Sequence, residues 1–153
     1  MHMQILDSLT ATSPAVTKQF ASTLAREIAR TKSDRARVIA LSGNLGAGKT
    51  TFTQGFAKAL GIARPVQSPT FVVMKVYELK KKYLKHLVHI DAYRIETPRE
   101  LDHLGFRELL KDKDAVILIE WADRVKKILP NDTTWITFEH GKKSNERSIM
   151  IRK

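Results

Sequence analysis

Three glycines, a lysine and a threonine, spaced as Gly43-Asn44-Leu45-Gly46-Ala47-Gly48-Lys49-Thr50, are the residues of this chain best suited to chemistry, and that chemistry is phosphate binding. The run meets G-x-x-x-x-G-K-[ST] at every fixed position. Glycines at 43, 46 and 48 permit the positive φ that curls backbone N–H groups around a phosphate, at the start of a helix whose dipole favours negative charge. Lys49 is placed to neutralise β/γ oxygens and the Thr50 hydroxyl to hold Mg²⁺, with Thr51 carrying the motif into the helix. Such fixed positions coincide by accident in roughly one chain of this size in a few hundred. A glycine-rich turn with a surface lysine would not need what flanks this one, a buried strand at Val38 to Leu41 and an amphipathic helix at Thr51 to Leu60.

Nucleotide chemistry also needs a carboxylate near the metal, commonly at the C-terminal end of a strand neighbouring the loop. Asp91, ending Leu87 to Ile90, and Glu120, ending Ala115 to Ile119, both qualify. One would bind the metal while the other orients the attacking water; the alternative for each is a strand-end acid paired with a neighbour such as Arg94 or Arg124. No Asn-Lys-x-Asp guanine-reading element occurs, and Asp102-His103-Leu104-Gly105 falls in a predicted helix, so ATP is the expected nucleotide. His89 and His103 lack metal-ligand spacing and read as packing or hydrogen-bonding residues, not zinc ligands.

The elements that must position these groups alternate strand and helix first and turn β-rich later. Ser13-Pro14 has the form of an N-cap and first-turn proline for a helix over Ala15 to Ala29, with Val16, Phe20, Leu24 and Ile28 on one face. Gly61 ends the phosphate-loop helix. Phe71 to Tyr77 and Leu87 to Ile90 predict a hairpin across the charged turn Glu78 to Lys85. Thr97-Pro98-Arg99-Glu100 is a capping box opening a short helix that Gly105 interrupts before Phe106 to Leu110. The continuous apolar run Ala115 to Ile119 predicts a central strand, and two more strands are expected near Thr133 to Glu139 and Arg147 to Ile151. The fold class is therefore α/β: a three-layer P-loop NTPase-like domain around a mixed sheet, parallel near the loop and antiparallel at one or both edges. The 153 residues, 42% of them hydrophobic, fit a single domain spanning the chain.

Absence of cysteine excludes disulfides, thiolate zinc sites and thiol nucleophiles. Asp7 interrupts the N-terminal stretch, no apolar run approaches a membrane span and no leader is evident, so a soluble cytoplasmic protein is expected. The formal charge of +11 suits work close to polyanions, although a basic surface without a specific partner carries the same number. Lys80-Lys81-Lys82-Tyr83-Leu84-Lys85 offers phosphates and a base something to meet, but it also reads as a solvated hairpin tip.

In order along the chain stand the phosphate loop Gly43 to Thr51, Ser68-Pro69-Thr70-Phe71, His89-Ile90-Asp91-Ala92-Tyr93-Arg94, Glu100-Leu101 with Gly105, Ile119-Glu120-Trp121 and Leu129-Pro130. This set resembles the TsaE (YjeE) family of small bacterial ATPases serving tRNA threonylcarbamoyladenosine synthesis. The resemblance implies that Lys49 and Thr50 contact phosphate and Mg²⁺, that Glu120 is the metal-associated acid, and that Asp91 is a second essential acid opposite the γ-phosphate. It also implies that Thr70, in the segment opened by Ser68, belongs to a switch-like loop, and leaves Trp121 as either a wall of the nucleotide site or core. Arg94 is a candidate arginine finger in cis, a partner residue being the other. Asn44 and Ala92 depart from the family's usual Asp and Leu, the first removing a charge beside the phosphates. The implied function is hydrolysis of Mg-ATP, weak alone, that resets a complex with TsaD and TsaB; tRNA is met indirectly through that complex, and the chain is not itself the transferase. Two other classes fit parts of the sequence: a small P-loop kinase, for which no arginine-rich lid follows Glu120, and a nucleotide-regulated binding module with negligible hydrolysis. Thr12 or Ser13, before the first helix, are the candidates for adenine contact.

Overall fold

The computed structural model describes residues 5–44, 46–66 and 73–153, with side chains from Asp7 onward. Its frame is a seven-stranded sheet in the order β1-β7-β6-β2-β5-β4-β3. The strands are β1 (Ile5–Ala11), β2 (Arg37–Gly43), β3 (Met74–Glu78), β4 (His86–Asp91), β5 (Ala115–Glu120), β6 (Thr134–His140) and β7 (Arg147–Arg152). β6, β2, β5 and β4 run parallel, whereas β3 pairs antiparallel with β4 at one edge and β7 and β1 continue antiparallel at the other. Both edges are thus antiparallel, the fuller form of the expected mixed sheet.

The helices lie on two faces. α1 (Pro14–Ala29) and α2 (Lys49–Ala59) cover one; α3 (Pro98–His103), α4 (Phe106–Leu109) and a 3₁₀ segment, Ala122–Ile128, cover the other. β5 shows why the sheet has a core on each side. All six of its residues are buried, and they alternate: Val116 and Leu118 join the α1/α2 core, while Ala115, Ile117 and Ile119 join the other.

Local signals explain most of the boundaries. Ser13 caps α1 by accepting from the Val16 N–H at 3.4 Å, and Pro14 occupies the first turn, where its missing N–H costs nothing. Before α3, the Glu100 carboxylate accepts from the N–H groups of Thr97 at 2.8 Å and Glu96 at 2.6 Å. These bonds favour the charged form and hold the Glu100 pKa below the ordinary glutamate value. The expected hairpin is present, with β3 described from Met74; Phe71 and Val72 lie outside the described residues. Its turn is anchored, Leu84 being fully buried and Leu79 N–H donating to the Lys85 carbonyl at 2.8 Å.

Two elements have no counterpart in the sequence reading. β1 is visible only through its partner: weakly alternating and broken by Asp7, it takes its register from β7 at the other end of the chain, with an irregularity between Ile5 and Asp7. The 3₁₀ segment after β5 is kinked at Val125 (φ −122°), too irregular to leave a helical period.

Candidate nucleotide site

The phosphate loop is pinned from below before any ligand arrives. Gly43 pairs with Phe138 of β6. A Cβ at Gly43 would collide with the Phe138 carbonyl oxygen, so this glycine is required by close approach as well as by its φ of 138°. Phe52, in the second turn of α2, sets its ring edge-on to Phe138 with centroids 5.7 Å apart, and Phe20 of α1 and Phe56 pack on it at 5.8 and 5.9 Å. Burial of each such ring contributes roughly 2–3 kcal/mol, so the start of α2 is held against the sheet by the core itself. Gly48 enters α2 with φ 113°, and the first N–H groups of α2 have no intrahelical partner, as an anion site requires. From the β6–β7 side, Arg147 Nε donates to the Gly46 carbonyl at 3.3 Å.

Lys49 is buried, with 6% of its surface exposed. Its ammonium donates to the carbonyls of Gly43 and, at 3.1 Å, Asn44, and stands 4.1 Å from the centroid of the Trp121 ring. Burial lowers its pKa from the ordinary lysine value; Glu120, Asp123 and Asp91 pull it back up. A polyphosphate here would supply the opposite charge that, among the described residues, this cation lacks at contact distance.

Strand parity brings the acids together. In β4, Leu87 faces the α1/α2 core, so His89 and Asp91 point to the same side; in β5, Val116 and Leu118 do, so Glu120 does too. Register sets Glu120 opposite both Leu41 of β2 and Asp91 of β4. Glu120 is therefore next to the loop strand, and Asp91 one strand further out, which corrects the expectation that both end strands adjoining the loop. Asp91 is buried and accepts from the Tyr93 N–H at 3.0 Å, bending the chain out of β4. Glu120 is buried too, its Oε1 accepting from the Thr50 hydroxyl at 3.5 Å and its Oε2 bonded to His89 Nε2 at 2.6 Å.

His89 belongs to this constellation, although its spacing alone points only to packing or hydrogen bonding. The available signal was parity: it lies two residues before Asp91 on a strand neighbouring that of Glu120. Asp123 is a further acid whose field reaches Lys49; it stands just past the β5 end, in the segment whose helicity the sequence hid.

Trp121 has φ 57° and ψ 39°, the positive-φ non-glycine among the described residues, at a cost of roughly 1–2 kcal/mol. That turn lets the chain leave β5 and sets the indole between Lys49 and Tyr93, whose ring centroid lies 5.0 Å away. It packs on the α3 core as well. Arg94 is exposed in the turn after β4. Ala47 is buried, Asn44 exposed, and Thr51 half-buried behind Thr50. Leu45, Ser68 and Thr70 lie outside the described residues. Ser13 uses its hydroxyl oxygen in capping α1, and Thr12 offers its carbonyl to Asn145 at 3.1 Å.

Thr50 and Glu120 are hard oxygen donors already within reach of each other, so they fit a small divalent cation such as Mg²⁺ that takes few protein ligands and completes its shell from phosphates and water.

The sequence pattern described as "Threonylcarbamoyl adenosine biosynthesis protein TsaE" matches residues 11–149. A tRNA threonylcarbamoyladenosine biosynthesis protein TsaE from Bacillus subtilis is 42% identical over 114 residues, covering 74% of this chain and 68% of that protein. Its Haemophilus influenzae counterpart is 31% identical over 122 residues, covering 80% and 75%. The crystal structure of Bacillus subtilis YdiB superposes with a TM-score of 0.77 at 32% identity, covering 99% of this chain and 87% of that one. With this fold, this loop and these relatives, the chain belongs to the TsaE family of tRNA threonylcarbamoyladenosine biosynthesis proteins.

Proposed function

We propose that this chain binds and hydrolyses Mg-ATP and that hydrolysis supports turnover of a complex with TsaD and TsaB homologues in the cytoplasm. The observation that carries the reading is the convergence at one end of the parallel strands of Lys49, Thr50 and the buried pair Glu120 and Asp91.

In this reading the loop N–H groups and Lys49 hold the phosphates; Lys49 exchanges the carbonyls of Gly43 and Asn44 for phosphate oxygens and keeps its charge there. Thr50 and Glu120 hold Mg²⁺, which supplies neutralisation of the charge developing on the transferred phosphoryl group. Asp91, fixed by the Tyr93 N–H, orients the attacking water and accepts its proton. Trp121 walls the site beside Lys49. Arg94 or a residue of the partner pair serves as the arginine finger. The threonylcarbamoyl transfer itself belongs to the partners, and tRNA reaches this chain through them.

The test is Mg-dependent ATP turnover by the chain alone and with a purified TsaD–TsaB pair. Strong stimulation is expected, with Lys49→Ala losing nucleotide binding. Asp91→Asn should bind ATP within a few-fold of wild type and lose about 10²- to 10⁴-fold in turnover. Intact ATP binding without stimulation by the pair would sink the proposal.

A further inference from the structure

Between the outer sides of α1 and α2, and along the chain leaving α2, lies an open groove of about 940 Å³ that the nucleotide site does not use. Its origin is the close crossing of the two helices at Gly55, where a Cβ would stand 2.7 Å from the Lys18 Cα. On α1, the neighbours Lys18 and Gln19, then Ser22 and Arg26 at spacings of three and four residues, line one wall, a stripe about 12 Å long at the helical rise. Lys58 and Arg64 stand on the α2 side.

Among the described residues no carboxylate lines this groove. Nor does any of its cations have a carboxylate within 4.0 Å among the described residues, which holds for most lysines and arginines of this basic chain; the groove differs in setting four of them around one concave surface. Like charges gathered without counterions repel, and an anionic polymer that displaces their counterions relieves this. The groove has apolar lining in Ile62, Pro65 and Val66, but Ile62 is half-buried and Val66 buried, whereas its cations are exposed. The large hydrophobic side chains exposed among the described residues, Val76, Tyr93 and Leu104, on which a protein partner would anchor, lie elsewhere. Gln19 and Gln54 instead offer amides to phosphate oxygens. The lysine-rich turn is a different kind of surface: Lys85 Nζ donates to the Lys81 carbonyl at 2.8 Å, and Lys82 rests 5.2 Å from the Tyr83 ring centroid.

We infer that the α1–α2 groove binds the phosphate backbone of RNA, without reading bases. The choice of RNA among polyanions rests on the family's place in tRNA modification and not on ATP hydrolysis by this chain.

The experiment is fluorescence anisotropy of a labelled tRNA transcript with the full chain at several salt concentrations. The variant Lys18→Gln/Arg26→Gln/Lys58→Gln/Arg64→Gln is compared with Lys80→Gln/Lys81→Gln/Lys82→Gln/Lys85→Gln, which removes equal charge. The groove variant should bind at least about tenfold more weakly near 0.1 M salt, with the slope of log K against log salt shallower by about 3. The turn variant should stay within about threefold of wild type. Equal losses in both would assign binding to net charge and overturn the inference, as would wild-type binding by the groove variant or no binding by wild type. Retained RNA affinity with lost stimulation by TsaD–TsaB would give the groove to a protein. Basal ATP turnover should be unchanged in the groove variant; a chain with no turnover that still shows the groove effect would sink the ATPase reading and leave this one standing.

Discussion

His89 Nε2 lies 2.6 Å from Glu120, while its Nδ1 is buried with no partner among the described residues. With Glu120 ionised, the proton must sit on Nε2, and the imidazole acts as a fixed donor that orients the other carboxylate oxygen toward Thr50. His89 is thus a positioning residue. His89→Ala should cut stimulated ATP turnover about 10- to 100-fold and raise the Mg²⁺ concentration for half-maximal rate, whereas His89→Gln, which can return an N–H to the same place, should recover most of both. A lower melting temperature with unchanged Mg²⁺ dependence would reduce the residue to packing. At this scale Gly43, Gly48, Lys49 and Thr50 are legible as letters because the spacing of the loop is itself local geometry. His89 and Asp123 are not, since their relation to Glu120 and Lys49 passes through strand pairing and an irregular turn.

Among the elements, α1 and α2 carry the loop and the groove, and both depend on the approach at Gly55. Helix propensity by itself says that alanine at this position should gain about 1 kcal/mol. Here the added methyl would meet the Lys18 Cα at 2.7 Å and its carbonyl oxygen at 2.8 Å, which are backbone atoms that cannot swing away. Gly55→Ala is therefore expected to destabilise the fold by about 1–2 kcal/mol in urea denaturation. A stabilised variant would mean that the helices can part without cost. Helices α1, α2 and α3 announced themselves through Ser13-Pro14, Gly61 and the Thr97 to Glu100 box, because capping is a contact between residues three or four apart. β1 did not, because its weak alternation takes meaning only from β7, well over a hundred residues later.

For the molecule as a whole, a ligand that binds only the folded state stabilises it by mass action. Mg-ATP at about a hundred times its Kd should add about 2.7 kcal/mol, a rise in Tm of about 5 to 10 °C for a chain of this length. Lys49→Ala should abolish that rise while leaving the ligand-free Tm nearly unchanged, since the lost carbonyl contacts are offset by removing a cation whose burial already lowers its pKa. An undiminished ATP-induced shift in that variant would mean that nucleotide binds elsewhere.

The alternation of strands and helices, with a continuous apolar run at β5 bounded by Glu120, already required helices on both faces of a largely parallel sheet with the loop at the strand ends. By itself the sequence determined the phosphate loop, the helix starts, the two strand-end acids and the family pattern, because each is written in residues close together or in a fixed order along the chain. Only the tertiary structure decided the strand order, which sets β5 between the loop strand and Asp91, the Glu120–His89 contact and the unneutralised groove. Those depend on which strands pair, in what register, and how closely two helices cross, and such long-range choices are fixed by the packing of the whole core.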